Sequence, residues 1–153
     1  MKRVNDPAEL LPAFRDVVEQ LLERMRREGY KPVLHETYRT PERSKQLVAS
    51  GTSRVAGLSM HCYRIAADVI CGVHQWSCEE KGCGYYRRLG IEAARLGLTW
   101  GGNWDGDGIT REQREHDLPH VQAVPLAVQQ RVRRSTLPDL EELVSEYLRR
   151  VAA

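Results

Sequence analysis

His61 and Asp68 stand seven residues apart in Ser59-Met60-His61-Cys62-Tyr63-Arg64-Ile65-Ala66-Ala67-Asp68, and the carboxylate enters an apolar run, Ala66 to Ile70, that reads as a buried strand. Far downstream, Asp117-Leu118-Pro119-His120 puts a second histidine at the mouth of another apolar strand, Val121 to Val124. A catalytic zinc site needs three nitrogen or oxygen ligands and one open position for water, and His61, Asp68 and His120 supply such a set. If they share one ion, the fold must bring these two strands together, and no other feature of the chain constrains it so strongly. Pro119 disfavours continuous helix through the second block, so Asp117 and His120 are expected to share an extended turn. Such a turn can aim both at one water, which is what a general base requires. The plainer reading is that these are ordinary polar side chains, satisfied at the surface or in the core, and spacing alone allows that too.

The 153 residues, 41% of them hydrophobic, suit one compact domain over 1–153. With 23 Lys+Arg against 21 Asp+Glu, the formal charge of +2 gives no electrostatic case for a nucleic-acid partner. The longest apolar stretches, such as Ala123 to Val128, fall far short of a membrane span. The opening Met1-Lys2-Arg3-Val4-Asn5-Asp6-Pro7 leads into no apolar export-signal core. The expectation is a monomer made in the cytoplasm without a signal peptide.

Helices are predicted after Asp6-Pro7, with a restart at Pro12 and a stop at Gly29, from Thr40-Pro41 to about Ser50, from Tyr85 to Leu96, and at the C-terminus. The last carries Leu140, Leu143, Val144, Tyr147, Leu148 and Val151 on one face. Short strands are expected at Val33 to Thr37, Ala66 to Ile70, Leu98 to Trp100 and Val121 to Val124. Helices flanking a small, mostly antiparallel sheet make the class α+β.

The Ser-x-His-x6-Asp block and the Asp-x-Pro-His block together resemble the M15 group of zinc peptidases, which includes D-alanyl-D-alanine carboxypeptidases, dipeptidases and the L-alanyl-D-glutamate endopeptidases of phage lysins. Glu36-Thr37-Tyr38-Arg39-Thr40-Pro41-Glu42-Arg43 looks like that family's arginine motif, and Leu96 to Trp104 like its glycine and tryptophan segment. The Asp6 to Gly29 opening is similar to the first helix of the phage enzymes. The resemblance implies a Hedgehog/D-Ala-D-Ala peptidase-like fold, with zinc on His61, Asp68 and His120 and with Asp117 as general acid/base. It also implies Arg39 binding a substrate carboxylate or carbonyl and Ser59 lining the substrate site. For Arg39 the residues alone equally allow an ion pair with Glu36 or Glu42, and for Ser59 a plain cap. The implied activity is hydrolysis of a peptide bond in the peptidoglycan stem peptide of the cell wall or periplasm, as a phage-type endolysin endopeptidase. The alternatives are D-Ala-D-Ala carboxypeptidase action and a zinc- or peptidoglycan-binding domain without turnover. Two positions depart from the family pattern: Arg64 stands where glycine is usual, and Ser44 where glutamine is frequent.

Cys71-x2-His74-x3-Cys78-x4-Cys83 matches no standard zinc knuckle and leaves open a structural zinc, a disulfide such as Cys78 to Cys83, or free thiols. Asn103-x-Asp105-x-Asp107-Gly108 resembles half of a calcium loop, but Arg114 occupies the twelfth position, and a polar turn is the better reading. His35 and His116 read as exposed or satisfied polar residues.

Overall fold

The computed structural model describes residues 2–53, 58–104 and 117–152, with side chains up to residue 148. The Asp105 to Arg114 part of the proposed calcium loop, and His116, lie outside the described residues.

Asp6 caps a 3-10 turn, Pro7–Glu9, by accepting a hydrogen bond from the Ala8 N–H. Helix α1 (Pro12–Arg27) then starts afresh with proline in its first turn, where no amide donor is needed. It buries Phe14, Val18, Leu21, Leu22 and Met25, the face that helical spacing defines. Gly29, at φ 88°, turns the chain into strand β1 (Pro32–Glu36). Helix α2 (Pro41–Ala49) is capped by Thr40, whose hydroxyl accepts from the Arg43 N–H. A 3-10 turn, Met60–Tyr63, leads into β2 (Ala66–Cys71). Helix α3 (Tyr85–Arg95), strands β3 (Thr99–Trp100) and β4 (His120–Gln122), and helices α4 (Gln129–Arg133) and α5 (Leu137–Ala152) follow, with short 3-10 turns at Gln75–Ser77 and Leu126–Val128. None of the described helices is long and apolar enough to cross a membrane.

The four strands form one antiparallel sheet in the order β1-β2-β4-β3. The class is α+β, as expected. Helix α1 packs on α3, α5 and β1, and the core is built from its buried face with Tyr85, Leu89, Val69, Val121, Leu140 and Val144. Glu92 on α3 is buried among Arg24, Arg88 and Arg95, and the Arg24 pair at 3.4 Å ties α3 to α1. Burial by itself would raise the pKa of Glu92, but those cations hold it below the ordinary carboxylate value.

What positions the site is the register. In the antiparallel pairs Asp68 lies opposite Glu36 on one side and opposite His120 on the other, so three polar residues form one row across three strands. Because strand side chains alternate, Asp68, His120 and Gln122 share a face, and Val69 and Val121 take the opposite, core-facing side. The register shift between Leu34 and Glu36 makes His35 the irregular residue of β1, and without it the row would not align.

Candidate metal centre

His61 comes to this row from the 3-10 turn ahead of β2. Ser59 caps that turn, its hydroxyl accepting from the His61 N–H at 3.3 Å, and its own N–H lies 3.5 Å from the Ser44 hydroxyl. The chain leaves the turn through Arg64 at φ 64° and ψ 25°, the left-handed region where glycine is at ease. The arginine there costs about 1–2 kcal/mol of backbone strain. Its side chain offsets much of this: the guanidinium lies 4.1 Å from the centre of the Tyr38 ring, donates to the Glu9 carbonyl at 3.0 Å and pairs with the Glu9 carboxylate. We therefore expect Arg64→Gly to change stability by no more than about 1 kcal/mol, since strain and contacts are lost together. Arg64→Ala keeps the strain and loses the contacts, so it should be the less stable of the two variants. Urea unfolding of both, side by side, checks the order.

The rings of His61 and His120 meet edge to face with centroids 5.1 Å apart, and Asp68 Oδ1 lies 3.3 Å from His61 Nε2 and 3.2 Å from His120 Nδ1. The surrounding acceptors fix which nitrogen of each ring carries hydrogen. His61 Nδ1 is 2.8 Å from the Thr37 carbonyl, which can only accept, so Nδ1 donates and Nε2 holds the lone pair. That Nε2 is buried without a hydrogen-bond partner among the described residues. His120 Nε2 is 2.9 Å from Gln122 Oε1, and the Gln122 amide nitrogen donates to the Val124 carbonyl at 2.7 Å, which orients the amide. His120 Nε2 therefore donates, and Nδ1 holds the lone pair. With both rings neutral, two lone pairs and a carboxylate oxygen thus point at one another, an arrangement that repels itself unless a proton or a metal ion lies between them. Three ligand atoms within 4.8 Å of one another fit a metal ion on this observation alone.

The electrostatics follow the same geometry. Burial would raise the pKa of Asp68, but His61 and His120 hold it well below the ordinary carboxylate value. His120 itself is raised, with Asp68 and Asp117 outweighing the cost of burying its charge. Asp117 is bound into a turn by the His120 N–H, which donates to its carbonyl at 3.1 Å, and its carboxylate lies 3.8 Å from His120 Nδ1. The expected turn is therefore present. Loss of surrounding water, with Asp68 adding its negative charge, raises the pKa of Asp117 against the pull of His120. Trp100 Nε1 donates to the Leu118 carbonyl at 2.6 Å and braces the turn from β3, and Trp104 packs on the His120 ring at 5.0 Å. Gly101 passes so close to the Asp117 carbonyl that any Cβ there would overlap it.

Arg39 sits at the other end of the row. It is buried and paired with Glu36 through two hydrogen bonds, Nε at 3.2 Å and Nη2 at 2.8 Å, and the same Nη2 lies 4.0 Å from Asp68 Oδ2. Arg43 adds a third hydrogen bond to Glu36 at 2.7 Å. Burial would raise the Glu36 pKa, and the two arginines bring it below the usual range. The row holds two carboxylates side by side, and Arg39 is the charge that makes them compatible.

The structure thus brings His61, Asp68, His120, Asp117 and Arg39 into one neighbourhood and places Ser59 as the buried cap of the His61 turn. Sequence reading passed over Glu36 as a hub, the Thr37 carbonyl and Gln122. The signal for Gln122 was available, since it stands two residues from His120 and so on the same face of its strand. Cys78 and Cys83 form a disulfide, leaving Cys62 and Cys71 as free thiols. His35 packs edge-on against Trp76 and is only partly buried.

Residues 52–123, which include both histidine blocks, match the M15 peptidase family model described as D-alanyl-D-alanine carboxypeptidase. The fold is similar to that of the L-Ala D-Glu endopeptidase ChiX of Serratia marcescens, with a TM-score of 0.59 and 19% identity over 86% of this chain and 94% of that one. It is also similar to a variant of the vancomycin-resistance D,D-pentapeptidase VanY from a VanB-type cassette, in complex with Zn(II). There the TM-score is 0.51 and the identity 20%, over 90% of this chain and 82% of that one. No curated protein matches the chain by sequence.

Proposed function

We propose that this chain is an M15-type zinc metallopeptidase and that it hydrolyses a peptide bond in the peptidoglycan stem peptide, as an L-Ala-D-Glu endopeptidase of the phage-endolysin kind. The observation that carries the reading is the orphaned, buried His61 Nε2 aimed at Asp68 and His120. His61, Asp68 and His120 would hold the zinc. When bound, zinc supplies Lewis acidity that lowers the pKa of water and polarises a carbonyl.

The rest falls to the chain's own side chains. Asp117, 55% exposed at the lip of the site, takes the proton of the attacking water and returns it to the leaving amine. Arg39 stabilises anionic charge or a substrate carboxylate from beside Asp68, with Glu36 fixing the plane of the guanidinium. Ser59 contributes by holding His61 in place and bordering the substrate.

Carboxypeptidase action on terminal D-Ala-D-Ala is the second reading, favoured by the description of the matching family and by the similarity to VanY. Incubating the zinc-loaded protein with intact muropeptides and identifying the fragments by mass spectrometry separates the two. New L-Ala and D-Glu ends are expected. Released D-Ala would support the carboxypeptidase, and no product from any muropeptide would overturn both.

Arg39→Ala tests the substrate role against the ion pair. Removing one of two cations from buried Glu36 should cost about 2–4 kcal/mol of stability, so activity must be read per folded molecule. Adding Glu36→Ala should recover part of the stability. Turnover that stays depressed in the double variant supports a substrate contact, and turnover that recovers makes Arg39 purely structural.

A further inference from the structure

Beyond the last residue of β2, Cys71, the chain leaves the sheet in an excursion over 72–83 that has little core of its own. Val73 and Trp76 are 58% and 60% exposed. Gln75 is held at φ 47°, and Gly82 and Gly84, also at positive φ, reverse the chain into α3. Sulfur is what gathers the segment. The Sγ atoms of Cys71, Cys78 and Cys83 lie within 4.8 Å of one another, Cys71 and Cys78 are buried, and the His74 backbone N–H donates to Cys71 Sγ at 3.4 Å. The Cys78–Cys83 disulfide uses two of the three sulfurs and leaves the third buried beside them with no role in the peptidase site. Strand alternation sets Cys71 on the opposite face from Asp68, so this cluster is separate from the His61 group.

We propose that the reduced chain binds a second zinc ion here, on the thiolates of Cys71, Cys78 and Cys83, with the fourth position open to water. Three soft ligands around one small space suit zinc, whose tetrahedral Zn–S bonds set sulfurs about 3.8 Å apart. Binding releases the three thiol protons to solvent. The disulfide and the metal are mutually exclusive states. A phosphine reductant converts one to the other by giving two electrons to the S–S bond, while water supplies the two thiol protons and the oxygen of the phosphine oxide. The excursion carries Trp76 against His35, the irregular residue of β1 next to Glu36, so the metal would also order that edge of the peptidase site.

The test uses the whole chain, reduced with a phosphine, freed of metal and titrated with Co(II). Thiolate-to-cobalt charge-transfer absorption in the near ultraviolet should saturate by two equivalents in the unaltered chain, where the histidine site also takes cobalt, vanish on adding Zn(II), and saturate at one equivalent in the His61→Ala/His120→Ala variant. The band in that variant makes the outcome independent of the peptidase assignment, whose ligands include no sulfur. The band should be lost in Cys71→Ser and in Cys83→Ser. Should those variants misfold, alkylation of the unaltered reduced chain decides: zinc should shield Cys71, Cys78 and Cys83 but not Cys62. Absence of the charge-transfer band, its survival in folded Cys71→Ser, or equal alkylation with and without zinc would overturn the proposal.

Discussion

Asp117→Asn is expected to lower stem-peptide hydrolysis by roughly 100-fold or more while zinc stays bound. The amide keeps the shape of the side chain, and the turn that positions it is made by the Asp117 backbone carbonyl, so the local fold should persist. What is lost is a group able to accept the proton of water. The Asp117 carboxylate lies 3.8 Å from His120 Nδ1 and is more exposed than Asp68, a position suited to a water at the metal rather than to the metal itself. Steady-state kinetics on a purified muropeptide, with zinc content measured on the same sample, separates the roles. Near-normal turnover would remove Asp117 from the mechanism. Loss of zinc would make it a ligand or an anchor of one.

Gln122→Ala should weaken zinc binding by about 10- to 100-fold, although Gln122 touches no metal. Its Oε1 holds His120 Nε2–H, and this keeps the Nδ1 lone pair turned toward Asp68 and His61. Without that acceptor the imidazole can take the other tautomer and put a hydrogen where the metal should be. Competition with a chelator of known affinity gives the change directly. Gln122→Glu retains the acceptor and should bind zinc much more nearly as the unaltered chain does. An unchanged affinity in Gln122→Ala would show that the tautomer is fixed by something else.

The parts of the molecule that depend on local chemistry were legible in the sequence. Asp6 and Thr40 are caps because their short oxygens reach the next amides, and the α1 face repeats at helical spacing. The Asp117 to His120 turn follows from Pro119. The departure at Arg64 was also legible, as a side chain in a glycine position, but its compensation by Glu9 and Tyr38 joins distant segments that no local pattern relates. The row Glu36-Asp68-His120 was hidden for the same reason. It depends on cross-strand register, and in β1 on an irregularity at His35, neither of which a single chain's spacing encodes. Arg39 left both an ion pair and a substrate contact open, and only the row shows that the pair with Glu36 and the approach to Asp68 exist together. The cysteines allowed three outcomes because chain spacing does not say which sulfurs meet.

The most direct test of the account is zinc content against activity in the protein with its Cys78–Cys83 disulfide intact, so that the histidine site alone is counted. The unaltered chain, purified without added metal, should carry one zinc and cleave muropeptides. The His61→Ala/His120→Ala variant, still folded by circular dichroism, should carry none and leave them whole. Zinc that survives unchanged in that variant would contradict the ligand assignment, and the mechanism built on it would fall with it.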